Sequence, residues 1–239
     1  MFSRKEFPKI PGLAELLDFV YPPFCLVCDG EISISDQLIC GNCWKKASGN
    51  AFIFCINCRK VLIENFQCPD CRDDSHFPVL CMGHYIPPLA DIIHHFKYHG
   101  YSKLGQNLAD NLLGGYAEHL KNAKIDYIIP IPLDSYREKG RGFNQAAVLS
   151  DIISEKVDLP VLSEALRKIR RTKDQTRLDI LQREENMKGA FRAESELIAG
   201  KRILLIDDVI TTGATLREAA AAICAAGGDV VAALAIASA

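Results

Sequence analysis

Beyond residue 79 the apolar positions of the chain switch between two spacings. Residues 79–86 form a mostly apolar run of strand length, whereas 89–98 and 103–121 place apolar side chains three and four apart, as on one helix face. A short apolar run at 127–131 is closed by Pro130 and Pro132. It is followed by an amphipathic helical pattern over 143–156, a fully apolar strand over 203–206, a helix over 216–226 and a last strand over 230–236. Strands alternating with helices of this length pair in parallel through crossovers, so the pattern predicts an α/β domain with helices on both faces of a parallel sheet.

Upstream of residue 79 the apolar runs are short and cysteine takes over. Nine of the ten cysteines lie in the first 81 residues, and eight of them form CxxC pairs: Cys25/Cys28, Cys40/Cys43, Cys55/Cys58 and Cys68/Cys71. This shift in composition predicts two domains, 1–78 and 79–239, with the boundary near His76 to Pro78. No internal repeat is evident beyond the CxxC pairs.

Zinc prefers a tetrahedron of thiolates; one CxxC turn supplies two, and a second closes the site. Four such turns predict two structural zinc ions. The spacers of 11 and 9 residues suit short ribbon hairpins, which favours sequential sites over an interleaved cross-brace. A disulfide framework would suit a secreted chain, but Arg4, Lys5 and Glu6 stand where an export signal would need an apolar run, so a cytoplasmic location is expected. The alanine-rich stretch 219–237 is interrupted by Gly227, Gly228 and Asp229, and no membrane insertion is expected. Cys81 and Cys224 stand outside the pairs and read as ordinary buried residues.

Charge narrows the partners. The chain carries a net charge of -2, and residues 1–80 hold 8 basic against 10 acidic side chains before any thiolate is counted. That argues against the ribbon as a DNA reader, which needs clustered Lys or Arg, and for a docking or stabilising module. Segment 167–183 is the exception, with seven basic residues and two acidic ones.

The most informative run is ILLIDDVITTGAT, residues 203–215. An apolar strand ends in Asp207 and Asp208, and Thr211, Thr212, Gly213, Ala214 and Thr215 turn into a helix. Backbone N–H groups at a helix start, with hydroxyls and a glycine, form an anion cradle, and two neighbouring acids accept hydrogen bonds from vicinal sugar hydroxyls.

This run resembles the phosphoribosyl pyrophosphate (PRPP) motif of type I phosphoribosyltransferases. The resemblance implies that Asp207 and Asp208 hold the ribose hydroxyls and that Thr211 to Thr215 wrap the 5′-phosphate. It further implies that the loop at Leu133, Asp134 and Ser135 receives pyrophosphate with Mg2+, and that 167–183 is a mobile loop closing over PRPP. On that account Arg171 and Lys173, with Arg170 and Arg177, are candidates to neutralise the leaving group.

YPPFCLVC, IIHHFKYHG, RGFNQ, RRTKDQTRL and REENMKGAF together resemble the ComF family of competence proteins, over nearly the whole chain. The resemblance implies a double zinc ribbon ahead of a type I phosphoribosyltransferase domain, and a role in natural transformation or in the use of external DNA. It leaves open an enzyme with an unknown acceptor. It equally leaves open a non-catalytic protein that binds PRPP, grips single-stranded DNA through 167–183, or docks competence-machinery proteins through the ribbon. Residues 163–190 hold no aromatic side chain, which disfavours base stacking. His94, His95 and His99 cluster near Lys97 and read as a surface or interface helix.

Overall fold

The computed structural model describes residues 24–32, 38–49, 51–62, 68–71, 76–98, 102–114, 120, 122–133, 140, 142–170, 172 and 180–239. In chain order the elements are α1 (Gly41–Ser48), β1 (Phe52–Cys55), β2 (Pro78–His84), α2 (Leu89–Tyr98), α3 (Ser102–Gly114), β3 (Tyr127–Pro130) and α4 (Gln145–Val157). They continue with β4 (Leu166–Lys168), α5 (Ile180–Met187), β5 (Phe191–Ala193), α6 (Ser195–Ile198), β6 (Arg202–Ile210), α7 (Ala214–Ala225) and β7 (Asp229–Ser238).

Five strands form one sheet in the order β1-β2-β7-β6-β3, and β4 pairs with β5 in a separate antiparallel ribbon. The pairs β2/β7, β7/β6 and β6/β3 are parallel, so Leu80, Leu234, Ile206 and Pro130 line up in one row across the sheet. Because side chains alternate along a strand, each buried strand feeds two cores. Leu80, Met82, Leu204, Ile206 and Leu234 face Ile92, Ile93 and Phe96 of α2, Leu104 and Leu108 of α3, and Leu149 and Ile153 of α4. Their neighbours Val79, Cys81, Ile203, Leu205, Ala233 and Ala235 face Leu216, Ala219 and Ile223 of α7, with Leu166 and Phe191. The predicted parallel sheet with helices on both faces is present.

Several boundaries differ from the sequence pattern. The described part of the helix expected over 103–121 ends at Gly114, apart from short helical positions near Leu120; 115–119 and 121 lie outside the described residues. The strand expected over 203–206 runs on to Ile210, because β7 continues beside it and Ala239 N–H donates to the Ile210 carbonyl at 2.8 Å. Asp207 and Asp208 are therefore part of β6, near its carboxyl end, rather than the residues that follow it. Cys81 is fully buried as expected, and burial pushes its thiol up to about 12. Cys224 instead lies exposed on α7, whose buried face is the Leu216, Ala219, Ala220 and Ile223 stripe.

The cysteine-rich segment also carries elements that its composition hid. α1 is capped by a ligand cysteine: Cys40 Sγ accepts the Cys43 N–H at 3.4 Å. β1 pairs antiparallel with β2, with Phe52 opposite Cys81 and Cys55 opposite Pro78, so the upstream segment supplies the edge strand of the sheet.

Candidate functional site

The eight knuckle cysteines come together as two sequential sets. Cys25, Cys28, Cys40 and Cys43 form one, Cys55, Cys58, Cys68 and Cys71 the other, and within each set the sulfurs lie within 4.8 Å of one another. Four sulfurs about 2.3 Å from one zinc would stand about 3.8 Å apart in a tetrahedron. Cys28 to Cys40 and Cys55 to Cys71 are 3.8 Å, and Cys58 to Cys68 is 3.4 Å, so both sets fit zinc. Burial opposes ionisation of Cys25 and Cys68, but backbone N–H donors outweigh it and bring each thiol down to about 7. Each set thus offers one readily formed thiolate, and a bound metal deprotonates the rest.

At the carboxyl ends of the parallel strands, Asp208 N–H donates to Asp207 Oδ1 at 2.8 Å. Asp207 is enclosed by protein although part of its surface reaches solvent; burial, then the Asp208 charge, raise its pKa to about 7. Lys97, from the last turn of α2, holds Asp208 Oδ2 at 2.9 Å, with only 14% and 15% of the two side chains exposed. Lys97 is itself fixed where the buried Gln145 of α4 donates to its carbonyl at 3.4 Å. Carboxylate oxygens of this kind fit a hard cation such as Mg2+ carried by a polyphosphate.

Thr211, Thr212 and Gly213 lead from β6 into α7. Thr212 Oγ1 accepts the Ala214 N–H at 3.3 Å, and Gly213 enters with φ 81°, a conformation open to glycine. Ala214 and Thr215 begin the helix, whose first turn aims N–H groups outward as an anion cradle. β3 lies beside β6, and Leu133 starts the loop just beyond it, half-buried. Asp134 and Ser135 lie outside the described residues, as do Arg171, Lys173 and Arg177. Of the basic segment, Lys168 Nζ donates to Thr172 Oγ1 at 2.9 Å and Arg170 donates to the carbonyls of Asn186 and Lys188.

The fold also assembles side chains that the sequence did not single out. Beside the loop is a cleft of about 510 Å3 lined by Asn57, Arg59, Glu184, Thr211, Thr212 and Arg217. Arg217 Nη1 ties the Thr212 carbonyl (3.0 Å) to the Ile56 carbonyl (3.2 Å), and its Nη2 meets Glu184 at 2.7 Å. Lys97 stood out in sequence only as the neighbour of three histidines. His95 turns away, its Nε2 on the Leu26 carbonyl at 2.9 Å, and His94 is exposed against Tyr98; His99 lies outside the described residues.

Comparison with known proteins agrees with this geometry. Residues 16–72 match the double zinc ribbon domain family and residues 108–238 the phosphoribosyl transferase domain family. A competence protein F of Haemophilus influenzae is 32% identical over 202 residues, covering 81% of this chain and 87% of its own. The DNA utilization protein YhgH of Escherichia coli K12 is 29% identical over 218 residues (83% and 89%), and the competence protein ComFC of Bacillus subtilis is 24% identical over 220 (84% and 88%). Among the described residues no helix is long and apolar enough to cross a membrane.

Proposed function

The chain belongs to the competence protein F family, a double zinc ribbon followed by a phosphoribosyltransferase domain, and from that premise we propose that it binds PRPP at the β6–α7 turn. The observation that carries this reading is the juxtaposition of a paired acid, Asp207 and Asp208, with a threonine-rich helix start on the next turn of chain. A phosphate cradle alone accepts any phosphate ester. Carboxylates at the strand end add acceptors for the ribose hydroxyls, so a ribose phosphate satisfies both halves.

In this reading Thr211 to Thr215 hold the 5′-phosphate, Asp207 and Asp208 hold the ribose, and Leu133, Asp134 and Ser135 face the pyrophosphate. Magnesium, when bound, would neutralise pyrophosphate oxygens as the bond to the anomeric carbon breaks. Lys97 orients Asp208 through the 2.9 Å ion pair, which leaves the remaining lone pairs of the carboxylate to a hydroxyl. Arg171 and Lys173 are placed by sequence to meet the departing charge. The chain then acts as a phosphoribosyltransferase in DNA uptake or the use of external DNA, a reading supported by the names of its relatives, a competence protein and a DNA utilization protein. Incubation of the full chain with PRPP, Mg2+ and a panel of bases and nucleotides, with pyrophosphate release as readout, tests turnover. Release that depends on one acceptor class supports the enzyme, and binding without release makes the protein a PRPP sensor.

A further inference from the structure

The two zinc turns are near copies of one backbone, thirty residues apart. Phe24 bridges Glu31 as Phe54 bridges Val61; the Asp29 N–H donates to the Cys25 carbonyl (3.0 Å) as the Arg59 N–H donates to the Cys55 carbonyl (2.9 Å). Both turns end on a residue of positive φ, Asp29 at 54° and Arg59 at 63°. The turn therefore accepts an aspartate where the second copy has an arginine, so zinc geometry does not demand the guanidinium.

What Arg59 does instead follows from its surroundings. Its Cζ lies 4.1 Å over the Phe54 ring and its Nη2 donates to Ser238 Oγ at 2.7 Å, which fixes the plane. Nη1 is enclosed by protein and has no hydrogen-bond partner among the described residues. The side chain lines the same cleft as Thr211 and Thr212. The remaining wall is equally tied to the turn: a Cβ on Gly213 would stand 2.9 Å from Ile56 Cδ1, and the Ile56 carbonyl takes a hydrogen bond from Arg217. A pre-oriented cation on the wall of a cleft that also holds two threonines at a helix start matches a phosphomonoester.

Building on the reading that this loop binds a ribose phosphate, we propose that the second zinc turn is part of the ligand pocket and that Arg59 grips the 5′-phosphate from the side opposite the Thr211–Thr215 cradle. The zinc at Cys55, Cys58, Cys68 and Cys71 then holds a recognition residue in place.

Calorimetry on the full zinc-loaded chain with three probes, PRPP, ribose 5-phosphate and pyrophosphate, tests this. Arg59→Gln should weaken PRPP and ribose 5-phosphate roughly ten- to a hundredfold, the range for a hydrogen bond to a charged group, and leave pyrophosphate unchanged. Arg59→Lys, which keeps the charge but not the fork, should restore part of the loss. An equal loss for all three probes would show that Arg59 acts only through the fold and would overturn the proposal. Unchanged affinity for the sugar phosphates in Arg59→Gln would overturn it too. If the wild type binds neither sugar phosphate, the loop assignment itself falls, and this proposal with it.

Discussion

The two zinc ribbons share a turn and differ in what they lean on. In the first, Phe24 is exposed and the contact with the rest of the protein is made by side chains: Cys25, Ile39, Cys43 and Ala47 enter the core of α2 and α3, and His95 reaches the Leu26 carbonyl. In the second, the equivalent Phe54 is buried and the backbone itself continues into the sheet through β1, while Ile56 enters the core of α7 on the opposite face. One ribbon is therefore packed against the α/β layer and the other is built into it. Each lies next to a different half of the candidate site: the first next to α2, which carries Lys97, the second next to the Thr212–Gly213 turn.

Unequal consequences of metal loss are the largest expected effect. A structural zinc contributes roughly 10 to 16 kcal/mol to the folding of a small module, so either lesion is severe locally. Cys55→Ser should release the edge strand as well, exposing β2 and lowering the whole-protein melting temperature. Cys28→Ser, in the exposed corner of the first set, should leave more of the sheet protected. Hydrogen exchange at β2 and β7 in the two variants measures the contrast, and equal protection would erase the distinction drawn between the ribbons.

Next in size is the buried ion pair. Lys97→Met leaves Asp208 enclosed without its counter-charge, and breaking such a pair from one side costs about 3 to 5 kcal/mol. Urea unfolding should show that loss, and Lys97→Met with Asp208→Asn should recover most of it. No recovery would mean that Lys97 contributes through packing alone.

A smaller effect is a slope with pH. The carboxyl of Asp207 is raised from 3.8 to about 7 in the folded chain, so between these values the folded state binds more protons than the unfolded one. Its contribution is fully present below the ordinary carboxylate range and is lost as pH rises towards 7. Asp207→Asn removes that titration, and its urea midpoint between pH 5 and pH 8 should fall less than that of the wild type. Parallel profiles would show that Asp207 is ionised throughout.

Much of this was legible before the structure, for physical reasons that can be named. Zinc chemistry repeats a two-residue spacing, and the switch between continuous apolar runs and apolar positions three to four apart marks buried strands and helices, so the eight ligands and the parallel sheet were visible in the spelling. β1 was not, because FIFC ends on the ligand Cys55 and its partners lie 23 to 29 residues away, beyond any local pattern. The thirty-residue copy was hidden for a related reason: outside the cysteines the two turns share backbone geometry more than residue type. Lys97 joins the site only through tertiary contact, since α2 meets β6 far along the chain. Nothing in the sequence singles out Arg59, which gains its place only where the fold sets it over Phe54.

The functional reading stands or falls with recognition of the ribose of PRPP by Asp207 and Asp208. Calorimetry with PRPP and Mg2+ at pH 8, above the raised pKa of Asp207, on the wild type and on Asp207→Asn and Asp208→Asn tests this, since each change replaces a carboxylate by an amide of nearly the same shape. Clear wild-type binding is expected, weakened roughly ten- to a hundredfold in each variant. Absence of wild-type binding, or variants that bind PRPP as well as the wild type, would contradict it and leave the β6–α7 turn as a helix cap.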